Sequence, residues 1–368
     1  MKDYNSDNEY NQDNPHGFKA AMQAYEDALD DKPTGYMISL DAVSSGLQIY
    51  SILAGCKKSF QLCGGNKQEC IDAYAKLYDA VSTLIQQRGE KVHGEFDRKQ
   101  SKKAFMTAFY GSEAMPKKVF GEGNIHLFFQ TLQQELPGAY ELMNDLKALW
   151  DLVEGHTYSW QLPDGFDCSI TTTIKQEFPM TFQGETFGFI KEVPGRPDFY
   201  KGLAPNVIHS IDALIMREMI RRCNYSEHVN ELFLYLAGVG EMSRKGDIKM
   251  VRKLWSLYES TGFLSARILD YLSPDNLNQV DKEIITNLIL SMPVNSFELI
   301  SNHDCFKAHP NYGNDLREQY NNILVDLFNA KGLMNSIIQQ ITEDKSLTYK
   351  GLNTMLASDI HGCNYTLC

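Results

Sequence analysis

No run of about 18 apolar residues, the length a membrane helix needs, occurs anywhere in the 368 residues. A membrane span is therefore not expected. The opening stretch, Met1 to Gly17, lacks the basic and apolar regions of a signal peptide and reads as a polar tail. A cytosolic location is the expectation. Cysteine pairs at CxxC spacing are also missing. The eight cysteines are scattered with no Cys/His cluster of zinc-finger type, so reduced thiols are expected. Cys56, Cys63 and Cys70 recur every seven residues, but Gly64-Gly65 breaks any common helix face. Positive charge is in short supply: 35 Lys and Arg against 47 Asp and Glu leave a net charge of -12. That balance argues against a free-standing binder of duplex nucleic acid, whose affinity comes from neutralising phosphates. A nucleic-acid role would need a local basic lining or a partner.

What is present suits a packed interior. Hydrophobic residues make up 43% and charged residues 22% of the chain, enough for two or three lobes at roughly 100 to 200 residues each. Helical spacing runs over Gly17–Asp30, Leu47–Ala54, Gln68–Gln87, Asp97–Tyr110, Ile125–Glu154 and Val207–Cys223, and almost throughout Tyr225–Met292. Tyr36–Leu40 reads as a buried strand ending at Asp41, and Phe297–Asn302 as a second strand running into His303-Asp304. After the turn signal Pro163-Asp164-Gly165, the Thr/Ile/Phe-rich Cys168–Val193 reads as antiparallel strands. The fold class predicted is α+β, mostly helical, with a small sheet.

Two strand ends carry carboxylates, Asp41 and Asp304. Hard oxygen ligands on rigid elements suit a pair of divalent ions about 3.5–4 Å apart. Between them, Arg98 and Lys102 are four residues apart and share one helix face, a cationic clamp suited to phosphates. Tyr110 follows eight residues after Lys102, about 12 Å along the helix, just before Gly111. Charge at one end and an aromatic at the other suits a nucleoside triphosphate lying along the helix.

These residues resemble the single-subunit RNA polymerases of bacteriophages and mitochondria. Asp41-x3-Ser45-Gly46-x-Gln48 resembles motif A, Arg98-x3-Lys102-x7-Tyr110-Gly111 motif B, and His303-Asp304-Cys305-Phe306 motif C. Pro163-Asp164-Gly165-Phe166 and Ala204-Pro205-Asn206-x2-His209-Ser210-x-Asp212 are similar to the family's fingers hairpin and its APNxxHSxD segment. The A-type DNA polymerases share the Arg-x3-Lys-x7-Tyr-Gly frame but usually carry an aromatic where this chain has Met106.

The resemblance implies a right-hand polymerase with a small antiparallel palm sheet. It divides the chain into a disordered tail (1–16), a first palm segment (17–57), fingers (58–209), a palm helix (210–224), a helical insertion (225–296), and a second palm segment with a C-terminal foot (297–368). Two Mg2+ ions would be held by Asp41, Asp304 and the backbone carbonyl of Ala42. Lys102 would meet the phosphates, Arg98 would clamp the γ-phosphate, and Tyr110 beside Gly111 would form the base-stacking gate. His209 and Tyr74 would join Tyr110 in sensing the ribose, and His303 would touch the primer end. Only 40 residues precede Asp41, which resembles the split, heterodimeric enzymes of N-four-like podoviruses. The implied partners are a smaller N-terminal subunit, a single-stranded or melted DNA template, NTPs, the RNA product and a phage recruitment factor, in the cytoplasm of an infected bacterium. The alternatives are an A-family-like DNA polymerase fragment and a catalytically silent scaffold subunit.

Overall fold

The computed structural model describes residues 14–89 and 97–368; residues 1–13 of the polar tail lie outside them. The first helix, Pro15–Leu29, starts two residues before Gly17, so Pro15 and His16 are helical rather than part of a tail. Local chemistry accounts for the start: the Asn14 side chain accepts from Gly17 N at 3.0 Å, and proline occupies the first helical position.

The molecule is α+β and mostly helical, with three small antiparallel sheets among the described residues. Three strands, β1 (Ile38–Asp41), β6 (Ile300–Asn302) and β7 (Cys305–Ala308), join the two ends of the sequence in the order β1-β7-β6. The other two sheets are hairpins: β2 (Thr157–Gln161) with β3 (Asp167–Thr171), and β4 (Thr173–Phe182) with β5 (Glu185–Pro194). Pro163-Asp164-Gly165 thus closes the first hairpin, whose leading strand buries Tyr158 and Trp160 on one face. The expected helix over Gln68–Gln87 begins only at Ala73, where the Asp72 side chain accepts from Tyr74 N and Ala75 N and stops the backbone continuing upstream. The stretch Ile125–Glu154 is three pieces, broken at Leu136-Pro137, because proline cannot donate to the preceding turn. Likewise β6 starts at Ile300, three residues later than expected.

One large hydrophobic cluster packs the helices Ser45–Leu53, Pro137–Ala148, Leu203–Cys223 and Gly313–Asn329 around the three-stranded sheet. A second cluster draws only on residues 225 to 292, the stretch set apart in the sequence. No helix among the described residues is long and apolar enough to cross a membrane.

Candidate active site

Asp41 and Asp304 are brought together by strand register. β1 sets Asp41 opposite Cys305, and because Asn302 pairs with Cys305 the β6–β7 loop is only His303 and Asp304. Asp304 is therefore next to the cross-strand partner of Asp41, and directly opposed Cβ atoms stand about 4.5–5.5 Å apart. Ala42 N donates to Asp304 O at 3.1 Å and ties the two backbones. His303 takes φ 56° in this loop. Glycine is the usual residue for such a turn, and a side chain there costs roughly 1 kcal/mol. The other edge of β1 is held as well, since Asp41 N donates to Cys368 O at 2.7 Å and Cys368 N to Asp41 O at 2.9 Å.

Past Ala42 the chain turns sharply into the Ser45–Leu53 helix through Ser44 at φ 62°. Gln48 secures this turn from within the core. Its Nε2 donates to Cys63 O at 2.7 Å and Thr366 O at 3.1 Å, and its Oε1 accepts from the Tyr320 hydroxyl at 2.8 Å. A buried amide so fully paired fixes one backbone path.

The facing wall is the helix Arg98–Phe109, started by Asp97, whose side chain accepts from Lys99 N and Gln100 N. Its face bearing Lys102, Met106, Phe109 and Tyr110 encloses a cavity of about 170 Å³ with Asp41, Asp304, Ala42, Ser44 and Tyr74. A second cavity of about 370 Å³ shares Ser45, Met106, Tyr110 and Asp304 and adds His209, Asp212 and His303. The two adjoin, and Tyr110 stands between them with its ring edge-on to His209, centroids 5.1 Å apart at 89°. The Tyr74 hydroxyl donates to Ser44 Oγ at 2.9 Å, and Lys102 Nζ lies 5.7 Å from the centre of the Tyr74 ring.

The electrostatics follow from crowding carboxylates against one lysine. Burial and the neighbouring Asp304 charge raise the Asp41 carboxyl above its ordinary value, against opposing pulls from Lys102 and a backbone hydrogen bond at Ala42. Asp212 is pushed up to about 6, chiefly by burial and then by Asp304, although Ser45 Oγ donates to it at 3.5 Å. Burial, then Asp212 and Asp304, raise the Tyr110 phenol, so it keeps its proton at neutral pH. Burial and then His303 lower His209, which favours its neutral ring.

Of the candidates, Asp41, Ala42, Tyr74, Lys102, Tyr110 and Asp304 line the first cavity, and His209 and His303 line the second. Arg98 and Gly111 line neither. Arg98 Nε is paired with Asp72 Oδ2 at 2.5 Å, at the cap of the Ala73–Gln87 helix. Gly111, at φ 79°, serves the turn that ends the Arg98–Phe109 helix. Asp212 is the site residue that was given no role above. The signal was there, because His209 and Asp212 are three apart on one helix and share a face. Ser44 and Asp72 carry no comparable local signal.

Among the described residues, no group of three or more His, Cys, Asp or Glu side chains is arranged to hold a metal ion. The oxygen set at hand is two carboxylates and the Ala42 carbonyl, which accepts one bond from Ser44 N at 2.9 Å and keeps a second lone pair. All eight cysteines are free, with Cys56 and Cys63 buried and Cys70 exposed. Comparison with protein-family models and with curated proteins finds no match to this chain.

Proposed function

We propose that the chain is the catalytic subunit of a DNA-templated RNA polymerase of the palm-and-fingers type, joining NTPs to an RNA 3′-hydroxyl. The observation that carries this reading is the meeting of Asp41 and Asp304, from opposite ends of the sequence, in one cavity walled by the Lys102–Tyr110 face. Across the two adjoining cavities three carboxylates face one lysine, a surplus of hard oxygen donors suited to divalent cations. Asp41, Asp304 and the Ala42 carbonyl would hold two Mg2+ ions, which supply activation of the hydroxyl and charge neutralisation on the triphosphate.

The remaining roles belong to the protein. Lys102, an exposed ammonium at the cavity wall, meets the phosphates as a compact charge. Arg98 reaches them only by leaving Asp72, so its clamp is a conditional one. Tyr110 offers its ring to the incoming base, and its protonated hydroxyl beside a neutral His209 provides partners for a ribose 2′-hydroxyl. A site built to bond that hydroxyl penalises a substrate lacking it, which favours RNA over DNA synthesis. The resemblance adds a smaller second subunit, a single-stranded or melted template and a recruitment factor to the proposal.

The test is extension of a labelled RNA primer on a single-stranded DNA template with NTPs and Mg2+, by the chain alone and with proteins that co-purify from its natural source. Asp41→Asn and Asp304→Asn should each abolish nucleotide addition while keeping the circular dichroism spectrum and melting temperature, because an amide cannot replace a carboxylate toward two hard dications. Primer extension by either variant would sink the assignment.

A further inference from the structure

A cavity of about 560 Å³, larger than either beside Asp304, opens on the other side of the segment that leads to Tyr74. Lys57, Lys58, Lys67 and Lys76 line it, with only Glu135 and Asp359 opposing them. In a chain of net charge -12 this is a local reversal of sign. Two of the lysines are matched, Lys57 by Asp359 at 2.6 Å and Lys58 by Glu135 at 3.3 Å. Lys67 Nζ donates only to the Ser358 carbonyl at 3.1 Å. The Lys76 ammonium is exposed and has no ion pair or hydrogen bond among the described residues. Among the described residues, Lys67 and Lys76 thus form no ion pair, although the Lys67 charge acts on Asp359, and they are flanked by the amides of Gln61, Asn66 and Gln68, which can donate to anionic oxygens.

The lining also says what kind of anion fits. Among the described residues no aromatic ring faces the cavity and its apolar side chains are Leu62 and Ile71, so bases find there no stacking platform of the kind that holds them in single-strand binders. Phosphates are the groups the lining matches. A duplex presents its phosphates on a stiff convex cylinder that touches only the rim of a concavity, whereas a flexible single strand can follow the wall inward. Tyr74 and Lys76 are two residues apart at the start of one helix, about 200° around its axis. Tyr74 thus faces the candidate active site and Lys76 faces this cavity, with a single helix turn, about 10–12 Å thick, between the two.

We infer that this basic cavity binds the phosphate backbone of a single nucleic-acid strand, without reading its bases, as that strand passes the first turn of the Ala73–Gln87 helix to or from the candidate active site. The identity of the ligand as a strand rests on the polymerase reading; the anion site itself does not.

The experiment titrates the full chain with fluorescent oligo(dT), without Mg2+ or NTPs, from low to physiological salt, and repeats it with Lys58→Ala/Lys67→Ala/Lys76→Ala and with Lys76→Glu. Each phosphate contact on a single strand contributes about 0.7 to the slope of log K against log salt. The triple variant, which removes the two cations without ion pairs along with Lys58, should therefore lose at least about 1.4 units of slope and bind about tenfold more weakly at low salt. Lys76→Glu should weaken binding in the same direction, and oligo(dA) should behave as oligo(dT) does. An unchanged slope in the triple variant overturns the inference. So does displacement of the oligonucleotide by an equal phosphate concentration of tripolyphosphate, which would assign the cavity to a free polyphosphate. The titration uses neither Mg2+ nor NTPs, so a failure of primer extension and a failure of this site are read in separate assays.

Discussion

Tyr110 and His209 sit edge to face at the boundary between two cavities, and this contact makes substrate choice testable one atom at a time. Tyr110→Phe deletes a hydroxyl and keeps the ring, so polymerisation should persist while the preference for ribonucleotides over deoxynucleotides falls about tenfold or more, as loss of a substrate-hydroxyl contact does. Competition between NTPs and dNTPs on one template measures it, and an unchanged ratio would move the role to His209 or Tyr74. Asp212 offers a second test through pH. Its carboxyl stands at about 6 in the fold against an ordinary 3.8, so between those values the folded chain binds the proton that the unfolded chain has released. Stability then falls as pH rises through that window, and the penalty, about 3 kcal/mol, is complete above it. In EDTA, Asp212→Asn should melt higher than the wild type at pH 7.5, with the advantage gone at pH 4. Added Mg2+ should narrow the gap at pH 7.5. A gap of the same size at both pH values would remove the Asp212 charge from the account.

At the scale of elements, the helix Leu203–Cys223 carries both site residues and the main inter-element ion network. Six residues after Asp212, buried Glu218 accepts from Ala266 N at 2.9 Å and from the Ser265 hydroxyl, and pairs with Arg221 at 2.8 Å and Arg222 at 3.5 Å. Arg222, fully buried, also meets Asp326 of the Gly313–Asn329 helix at 2.7 Å. Arg217 and Arg221 reach Asp164 in the β2–β3 turn at 2.6 and 3.0 Å, and Arg267 Nη1 donates to the Asp164 carbonyl at 2.8 Å. The hairpin turn, the 225–296 stretch and the helix under the second cavity are thus pinned to one another. Glu218→Ala would leave Arg222 inadequately paired in the core, a change that costs about 3–5 kcal/mol. Urea denaturation should show that loss as a lower midpoint, and an unchanged midpoint would mean that the network is neutral in energy.

For the whole molecule, the decisive quantity is charge. A net charge of -12 repels duplex DNA at long range, and Lys102, Arg98 and the four lysines of the basic cavity are local exceptions to that sign. If the proposed polymerase and its second subunit are reconstituted, transcription should therefore favour denatured DNA or a preformed bubble over intact linear duplex. Comparing the three templates at fixed salt checks it. Start-site-specific transcription from intact duplex without any added factor would overturn the expectation.

Much of this protein is written in short-range pattern. Asp97 starts its helix where a capping side chain can reach two backbone N–H groups, and the spacing of Lys102, Met106 and Tyr110 places all three on one helix face before any packing is known. The strand ends at Asp41 and Asp304 are legible for the same reason: apolar runs and turn residues act within a few positions. The tertiary structure alone decides which distant pieces meet. Register between β1 and β7 makes neighbours of Asp41 and Asp304, and Asp72 takes up Arg98 across 26 residues. Packing turns Asp212 into a third cavity carboxylate and gathers Lys57, Lys76, Glu135 and Asp359 around a single concavity. Local propensity acts along the chain over one or two turns, whereas these contacts join segments tens to hundreds of residues apart and form only when a common core is buried.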